Sequence, residues 1–252
     1  MQAFKIYLPI LLLLTFTSLF SQTKNVTHAN QIWMGYFNQT KLSDKWGIWL
    51  DGQLRTQDDF VNNLYVGIIR VGGIYYVNPN CRITVGYAFA NYYPAEKHSM
   101  VSQIEHRPWQ QIQWTTAYGA NRLTQSFRLE ERFIRNILND STLVDSYKFN
   151  YRFRYHINYQ VPLNKKAFTA NTFSLVISDD VHFNFGKEIV NNVFDQNRFF
   201  VGVGYYLNSS DYFQLGYMNV FQQQTQAGLY KSSNVIRTTF FQNLNWRKKH
   251  HS

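Results

Sequence analysis

The chain has 252 residues and a net charge of +10, and it contains 6 Trp, 18 Tyr and 21 Phe. Only 16% of its residues are charged, against roughly a quarter in average globular proteins, so its composition is not that of a disordered chain. The single cysteine, Cys81, excludes an internal disulfide framework and a zinc cage built from cysteines. No heptad, glycine triplet or low-complexity tract runs through the sequence, which excludes the coiled-coil and collagen-like classes.

The first 21 residues predict a secretory signal peptide. Lys5 precedes a run, 6–20, that is apolar apart from Thr and Ser, and a small serine follows it. The run is shorter than the about 20 residues that a membrane-spanning helix needs, and Pro9 interrupts it, so a retained anchor is the weaker alternative. No cysteine follows the run, which argues against a lipid anchor. Cleavage removes one lysine and no acid, which leaves 22–252 as one barrel domain with a net charge of +9.

Alternation of apolar and polar residues dominates the rest of the chain and predicts β-strands. Between 147 and 161 every second residue is apolar or aromatic, and the residues between them are polar or basic. This segment is much longer than the about 5 to 6 residues of a typical soluble strand. No helical segment competes. The other predicted strands, which bring the number to about eleven, lie at 30–39, 46–55, 63–77, 82–89, 102–118, 123–133, 173–185, 194–208, 211–223 and 233–246.

Short and long connections alternate along the chain. This rhythm is typical of an outer-membrane barrel with tight periplasmic turns and longer outer loops. We therefore predict a closed, antiparallel, up-and-down transmembrane β-barrel of about 10–12 strands. Such barrels usually have an even number of strands, so we expect ten or twelve, with an extra strand at 22–30 or one false split or merge. The short connections are 78–80, 119–120, 162–166 and 209–210, and the long ones are 58–62, 94–101, 136–145, 187–193 and 224–232.

The charged residues of the predicted strands lie on the face opposite the rings. In a membrane barrel the apolar face meets lipid and the polar face lines the lumen, whereas a small soluble barrel reverses this arrangement. The sequence alone does not say which face is inward. The secretion signal, the strand length and the aromatic content favour the membrane, and Trp33, Trp46 and Trp246 with several tyrosine pairs fit aromatic girdles. Pro108 cannot donate to a sheet ladder, so a bulge or bend is expected there.

Three segments carry a resemblance to a known family. They are WMGYFNQ at 33–39, EHRPWQQ at 105–111 and RLTQSFRLEERF at 122–133. Together they resemble the bacterial family called domain of unknown function 2490, over about 30 to 246. The resemblance implies an outer-membrane β-barrel of a Gram-negative bacterium. It supplies no activity and no catalytic residues.

Candidate catalytic and metal-binding groups are few. His106 lies between Glu105 and Arg107, and on a strand it points away from both, so the three cannot form one site. Asp180 and His182 share a face, where they would hold a metal or polarise a nucleophile, although two hydrogen-bonded lumen groups is the commoner arrangement. The His-x-Ser-Asn-Gly signature of outer-membrane phospholipases is absent, and the seven histidines form no ligand cluster. We therefore predict no catalytic activity, no metal and no cofactor.

The lumen is the remaining candidate site. Paired arginines and glutamates would fill and rigidify it, whereas an excess of arginine would leave a positive path that favours small anions. Our prediction is a narrow pore, or a structural or surface-binding barrel, with an arginine-rich lumen. The candidate lumen residues are Arg55, Arg70, Arg82, Glu105, Arg107, Arg128, Glu130, Arg132, Arg152, Arg154, Asp180 and His182.

The basic charge bears on partners as well. The sequence shows no nucleic-acid-binding module, so we predict outer-membrane lipid and possible small anionic solutes as partners, and the sequence indicates no protein partner. Two alternatives stay open: an outer-membrane hydrolase of lipids or esters centred on Asp180 and His182, and an exported soluble barrel that binds a small ligand. The basic residues near the predicted rims are Lys41, Lys45, Lys97, Lys165, Lys166 and Arg247 to Lys249.

Overall fold

The computed structural model describes residues 24–57, 60, 63–94 and 100–247. The predicted signal peptide, Lys97 and the basic residues after Arg247 lie outside this range. Among the described residues no helix is long and apolar enough to cross a membrane. The strands are β1 Asn25–Lys41, β2 Trp46–Thr56, β3 Leu64–Asn78, β4 Cys81–Tyr92, β5 Gln103–Tyr118, β6 Asn121–Asn139, β7 Thr142–Pro162, β8 Thr172–Phe185, β9 Phe194–Tyr206, β10 Asp211–Gln223 and β11 Leu229–Asn245.

The described strands form one closed barrel in which each strand pairs with its neighbours in chain order. The all-β, closed up-and-down architecture is therefore confirmed, and the eleven predicted segments correspond to the eleven strands of the described chain. The expectation of an even number is wrong. With an odd number of alternating strands, the first and the last run in the same direction, so β1 and β11 must pair in parallel. Their register runs without a shift from Asn25 opposite Leu229 to Lys41 opposite Asn245.

The two ends of the barrel carry different sets of connections. We call the end that carries the β1–β2, β3–β4, β5–β6, β7–β8 and β9–β10 connections the turn end, and the opposite one the loop end. Three connections differ from prediction. The loop expected at 224–232 spans only 224–228, because β11 begins at Leu229. The loop expected at 136–145 is a two-residue turn at 140–141, because β6 and β7 stay paired almost to their tips. The turn expected at 162–166 extends over 163–171 at the turn end.

Side chains sort by chemistry between the two faces of the sheet. Apolar side chains such as Ile69, Val71 and Val85 point outward and are about half exposed. Charged groups such as Glu105 and Arg107 point inward and are buried. This arrangement is the opposite of a small soluble barrel, whose apolar face is inside.

Some large rings do lie inside the barrel, and glycines make room for them. Trp109 lies against Gly86 of the adjacent strand, where a Cβ atom would stand 2.7 Å from the indole. Phe200 lies in the same way against Gly202 and Gly216. Because the glycines have no side chain, these rings pack flat against the wall and leave central space open.

Trp33 corrects one sequence expectation. It is buried inside the barrel, in a cluster with Phe200 and Met218, rather than in a girdle. The other two tryptophans proposed for girdles, Trp46 and Trp246, are exposed. Side chains alternate between the two faces of a strand, and Trp33 occupies an inward-facing position of β1, which explains the difference.

Pro108 lies on the outward face of β5 and causes no bulge. Its pairing with Tyr87 of β4 continues the ladder without a shift. On the β6 side the same register holds before and after it, but the pairs at 107 and 108 are missing. The missing N–H of proline therefore interrupts the ladder locally without adding a residue.

Candidate functional site

The twelve candidate lumen residues all lie on the inward phase of their strands, and they divide into two groups. The first is a layer of ion pairs toward the loop end, built around Glu105, Glu130 and Asp180. The residues of the second group line a chamber that reaches the turn end. His106 points outward, as its position between Glu105 and Arg107 predicts, and it contacts the hydroxyl group of Tyr87.

Glu105 anchors one part of the ion-pair layer. Its carboxylate accepts hydrogen bonds from Arg107 Nε at 2.9 Å and from Arg132 Nε at 2.6 Å. The hydroxyl group of Tyr92 donates to the other oxygen at 2.9 Å. Glu105 is completely buried, so these charge-assisted bonds replace the water that its carboxylate loses.

Glu130 anchors the second part of the ion-pair layer and joins side chains of β5, β6 and β7. Arg152 donates to it through Nη2 at 2.5 Å, and Arg154 through Nη1 at 3.1 Å. The guanidinium of Arg107 lies 3.7 Å away. Arg152 also reaches Asp195 of β9 at 3.2 Å, and so bridges across β8.

Asp180 and His182 lie next to each other at the edge of this layer. Arg154 donates to Asp180 Oδ2 at 2.6 Å. His182 Nε2 lies 3.1 Å from the same oxygen, but outside hydrogen-bond geometry, and neither ring nitrogen has a hydrogen-bond partner in the described chain. His182 is completely buried. Among the described residues, no group of three or more His, Cys, Asp or Glu side chains is placed to hold a metal ion.

The ion-pair layer narrows the lumen on the loop-end side. The buried side chains of Glu105, Arg107, Glu130, Arg152 and Asp195 occupy the lumen at this level and lie outside the lining of the open chamber. Leaving one of these buried charges unpaired costs about 3–5 kcal/mol, so the layer resists opening.

The chamber occupies the rest of the lumen and has a volume of about 550 Å³. It extends from the level of Asp180 and Arg198 to Pro79 and Asn80 in the β3–β4 turn. Asp180 is the single acidic residue in its described lining. Its cationic lining consists of Arg55, Arg70, Arg82, Arg122, Arg128, Arg154, Arg198 and Arg237.

With its geometry described, the barrel can be compared with known proteins. A sequence model of the family described as "Protein of unknown function (DUF2490)" matches residues 30–230. The chain belongs to this family. The match includes part of β1, all of β2 to β10 and the first residues of β11. The resemblance noted in the sequence is thereby confirmed. No curated protein and no solved structure matches the chain.

Sequence reasoning missed several charged residues inside this DUF2490 barrel. Arg198 and Arg237 lie on the inward-facing positions of the same alternating pattern that selected the other lumen residues. Applying this pattern along β9 and β11 would have found them. Asp195 could not be found in this way. A register shift between β8 and β9 leaves it unpaired, so that it and Gln196 are both buried. A bulge interrupts the two-residue alternation of side chains, and the sequence of one strand alone does not show where a bulge lies.

Proposed function

We propose that this DUF2490 protein is an integral outer-membrane β-barrel without catalytic activity, in which small anions enter the lumen from the turn end and the ion-pair layer restricts their passage. The observation that carries the proposal is the charge of the chamber, whose described lining has eight arginines and one acid, Asp180. Four of these arginines have no carboxylate within ion-pair distance among the described residues, namely Arg55, Arg82, Arg122 and Arg237. Rings of fixed cations raise the local concentration of anions and exclude cations.

The outward face supports residence in a membrane. Strands of a closed sheet satisfy their backbone groups internally, and the exposed side chains between them are mainly aromatic and β-branched. An exported soluble barrel would expose such a surface to water, where contiguous apolar patches promote association. The outer-membrane assignment therefore explains the outward face better than the soluble alternative does.

The surroundings of Asp180 and His182 support the absence of catalysis. A general base must come within about 2.6–3.2 Å of the proton that it removes. His182 is completely buried and does not line the chamber, so a lipid or ester in the chamber does not reach its ring. Asp180 does line the chamber, but Arg154 already binds its carboxylate. The hydrolase alternative predicts an accessible base, and this pair does not provide one.

The turn-end rim supports contact with lipid phosphates. Lys41 lies over the ring of Tyr76, and Lys45 lies over the ring of Tyr75. Lysine paired with an aromatic ring at a strand end is the combination found at the interface of membranes. Each such cation contributes on the order of 1 kcal/mol near an anionic surface.

Single-channel recording in a planar bilayer tests the proposal. Purified, refolded protein is inserted under a potassium chloride gradient, and the reversal potential gives the ion preference. We expect small current steps with anion preference, and larger steps for Glu130→Gln, which weakens the ion-pair layer. Glu131→Gln, the same change on the outward face, is the matched control and should leave the steps unchanged. Cation preference, stable insertion without current, or failure to insert would each overturn the proposal.

A further inference from the structure

The part of the chamber nearest the turn end contains a cluster of arginines with a different character from the ion-pair layer. It consists of Arg82 on β4, Arg122 on β6 and Arg237 on β11, with Tyr212 of β10 between them, and we call it the outer arginine site. We propose that this site binds a small, soluble, multivalent oxyanion, a phosphate or a carboxylate, between the three guanidinium groups and the hydroxyl group of Tyr212.

The three arginines and Tyr212 line one chamber from four different strands. Arg122 lies over Phe168, whose ring centre is 5.3 Å from that of Tyr206, the stacking partner of Tyr212. Arg237 donates to Gln214, the next inward residue of β10 after Tyr212, and Arg82 lines the same chamber. The ring of Tyr212 is fixed by stacking on Phe241, with centroids 4.5 Å apart, and on Tyr206, at 4.8 Å. The phenol of the site is therefore held by a rigid aromatic stack rather than by a mobile loop.

The outer arginine site differs from the ion-pair layer in what its arginines bind. Arg237 donates to the side-chain amide of Gln214 at 3.1 Å, and its guanidinium lies 4.0 Å from the ring centre of Phe200. Arg122 lies 4.3 Å from the ring centre of Phe168 in the β7–β8 connection. These partners are neutral, so they position the guanidinium groups without cancelling their charge.

Unused donors complete the site. The Nε atoms of Arg82 and Arg237 are buried and have no hydrogen-bond partner in the described chain. No carboxylate of the described residues lies within ion-pair distance of Arg82, Arg122 or Arg237. Buried donors without acceptors and neighbouring like charges both cost free energy. A bound oxyanion relieves both costs at once.

The surroundings direct anions toward this site. Asp180, the acidic residue of the described chamber lining, lies deeper and is held by Arg154. The described rim at the turn end has more cations than acids: it carries Lys41, Lys45, Lys165, Lys166 and Arg247 against Asp44 and Asp211. A cationic rim above a cationic, low-dielectric recess concentrates anions and speeds their entry.

The shape of the site selects the class of ligand. A guanidinium group presents its donors as a planar fork that matches two oxygens of a phosphate or carboxylate. Three such groups and a phenol suit an anion that carries several oxygens and more than one charge, rather than chloride. The chamber volume of about 550 Å³ falls within the range of about 300–1,000 Å³ typical of small-molecule sites.

The inference deepens the proposed function by naming the ligand class, and it rests on that function only for the route of entry. The test is isothermal titration of the refolded full chain in neutral detergent with pyrophosphate, with citrate, and with phosphatidylglycerol micelles in a separate arm. We expect pyrophosphate or citrate to bind at constant sodium chloride concentration. Arg82→Gln, Arg122→Gln and Arg237→Gln should each weaken binding by about tenfold, the loss expected for one charge-assisted hydrogen bond.

Two further variants separate binding from folding. Tyr212→Phe keeps the ring stack and removes only the hydroxyl group, so the barrel should remain folded while binding weakens. Arg247→Gln is the matched control, because Arg247 lies at the turn end outside the lumen and pairs with Asp44 at 2.6 Å. It should leave the affinity unchanged.

The outcomes separate this inference from the proposed function. Binding without current would overturn passage and leave the site in place, whereas anion-selective current without binding would do the reverse. No binding of either soluble probe, binding of phosphatidylglycerol alone, or undiminished binding by the three arginine variants would overturn the site.

Discussion

At the scale of single residues, Glu130 is the carboxylate on which the ion-pair layer depends most. It is buried and lies within ion-pair distance of Arg107, Arg128, Arg152 and Arg154. Glu130→Gln keeps the shape of the side chain and removes its charge. Arg128 then has no carboxylate within ion-pair distance among the described residues, and Arg107, Arg152 and Arg154 keep one each. We expect the free energy of unfolding to fall by about 3–5 kcal/mol, measured by urea titration in micelles.

Glu131 provides the control for this change at the next position. It lies on the outward face, where Gln110 donates to it at 3.3 Å. Glu131→Gln removes no buried ion pair, and it neutralises a charge on the face that we propose meets lipid, so it should not lower the free energy of unfolding. Equal losses at the two positions would contradict a stabilising role for the ion-pair layer.

Gly86 permits a second test at the residue scale. A Cβ atom there would meet the indole of Trp109 at 2.7 Å and would also press on the backbone of Val71. Gly86→Ala should therefore lower the free energy of unfolding by about 1–3 kcal/mol through overpacking. Gly73→Ala, on the outward face of the adjacent strand with no atom within 4 Å of its new Cβ, should not. A smaller loss at Gly86 than at Gly73 would argue against the inward packing of Trp109.

The alternation of residues predicted the face of each charged side chain but not its partner. Glu105 and Arg107 are two residues apart on one strand, and their pairing follows from period two. Arg152 and Asp195 lie on strands separated by β8, and their contact requires the curvature of a closed barrel. Which arginines find a carboxylate and which stay free is therefore set by barrel closure, which the sequence alone does not reveal.

At the scale of elements, the strands were predictable and their closure was not. Each strand shows its own alternation of apolar and polar residues in the sequence, because its two faces meet different surroundings. The pairing of β1 with β11 joins residues about 200 positions apart, as between Asn25 and Leu229, and no local pattern encodes it. The general preference of outer-membrane barrels for even strand numbers argued against this parallel pairing, which requires an odd number of strands.

The parallel seam between β1 and β11 can be tested by cross-linking. Met34 faces Thr238 across the seam. Paired residues of adjacent strands fall within the about 4.4–6.8 Å between Cα atoms that a disulfide accepts. In a Cys81→Ser background, Met34→Cys with Thr238→Cys should cross-link under mild oxidation, seen as faster migration of the unreduced, unfolded chain. Met34→Cys with Leu244→Cys, which is out of register, should not, and the reverse result would contradict the parallel closure.

At the scale of the whole molecule, the inward charge and the outward apolar surface belong to one design. The closed sheet satisfies its own backbone, the ion-pair layer makes the barrel rigid from inside, and the outward side chains are left free to contact lipid. The same division leaves the three arginines of the outer arginine site without carboxylate partners in the described chain. The membrane proposal and the anion site therefore depend on one arrangement, in which most charged side chains point inward and most large apolar side chains point outward.

The depth of the barrel in a membrane gives the sharpest test at this scale. Val71 and Val77 lie on the same outward face of β3, the first at the middle of the strand and the second next to its turn-end tip. An arginine facing lipid costs about 2–4 kcal/mol at the bilayer midplane and about 0–1 kcal/mol near the interface. Val71→Arg should therefore reduce the yield of folded barrel in lipid vesicles far more than Val77→Arg, as read from heat-modifiable migration in gels. A soluble barrel exposes both positions to water, so equal and small effects of the two substitutions would refute residence in a membrane.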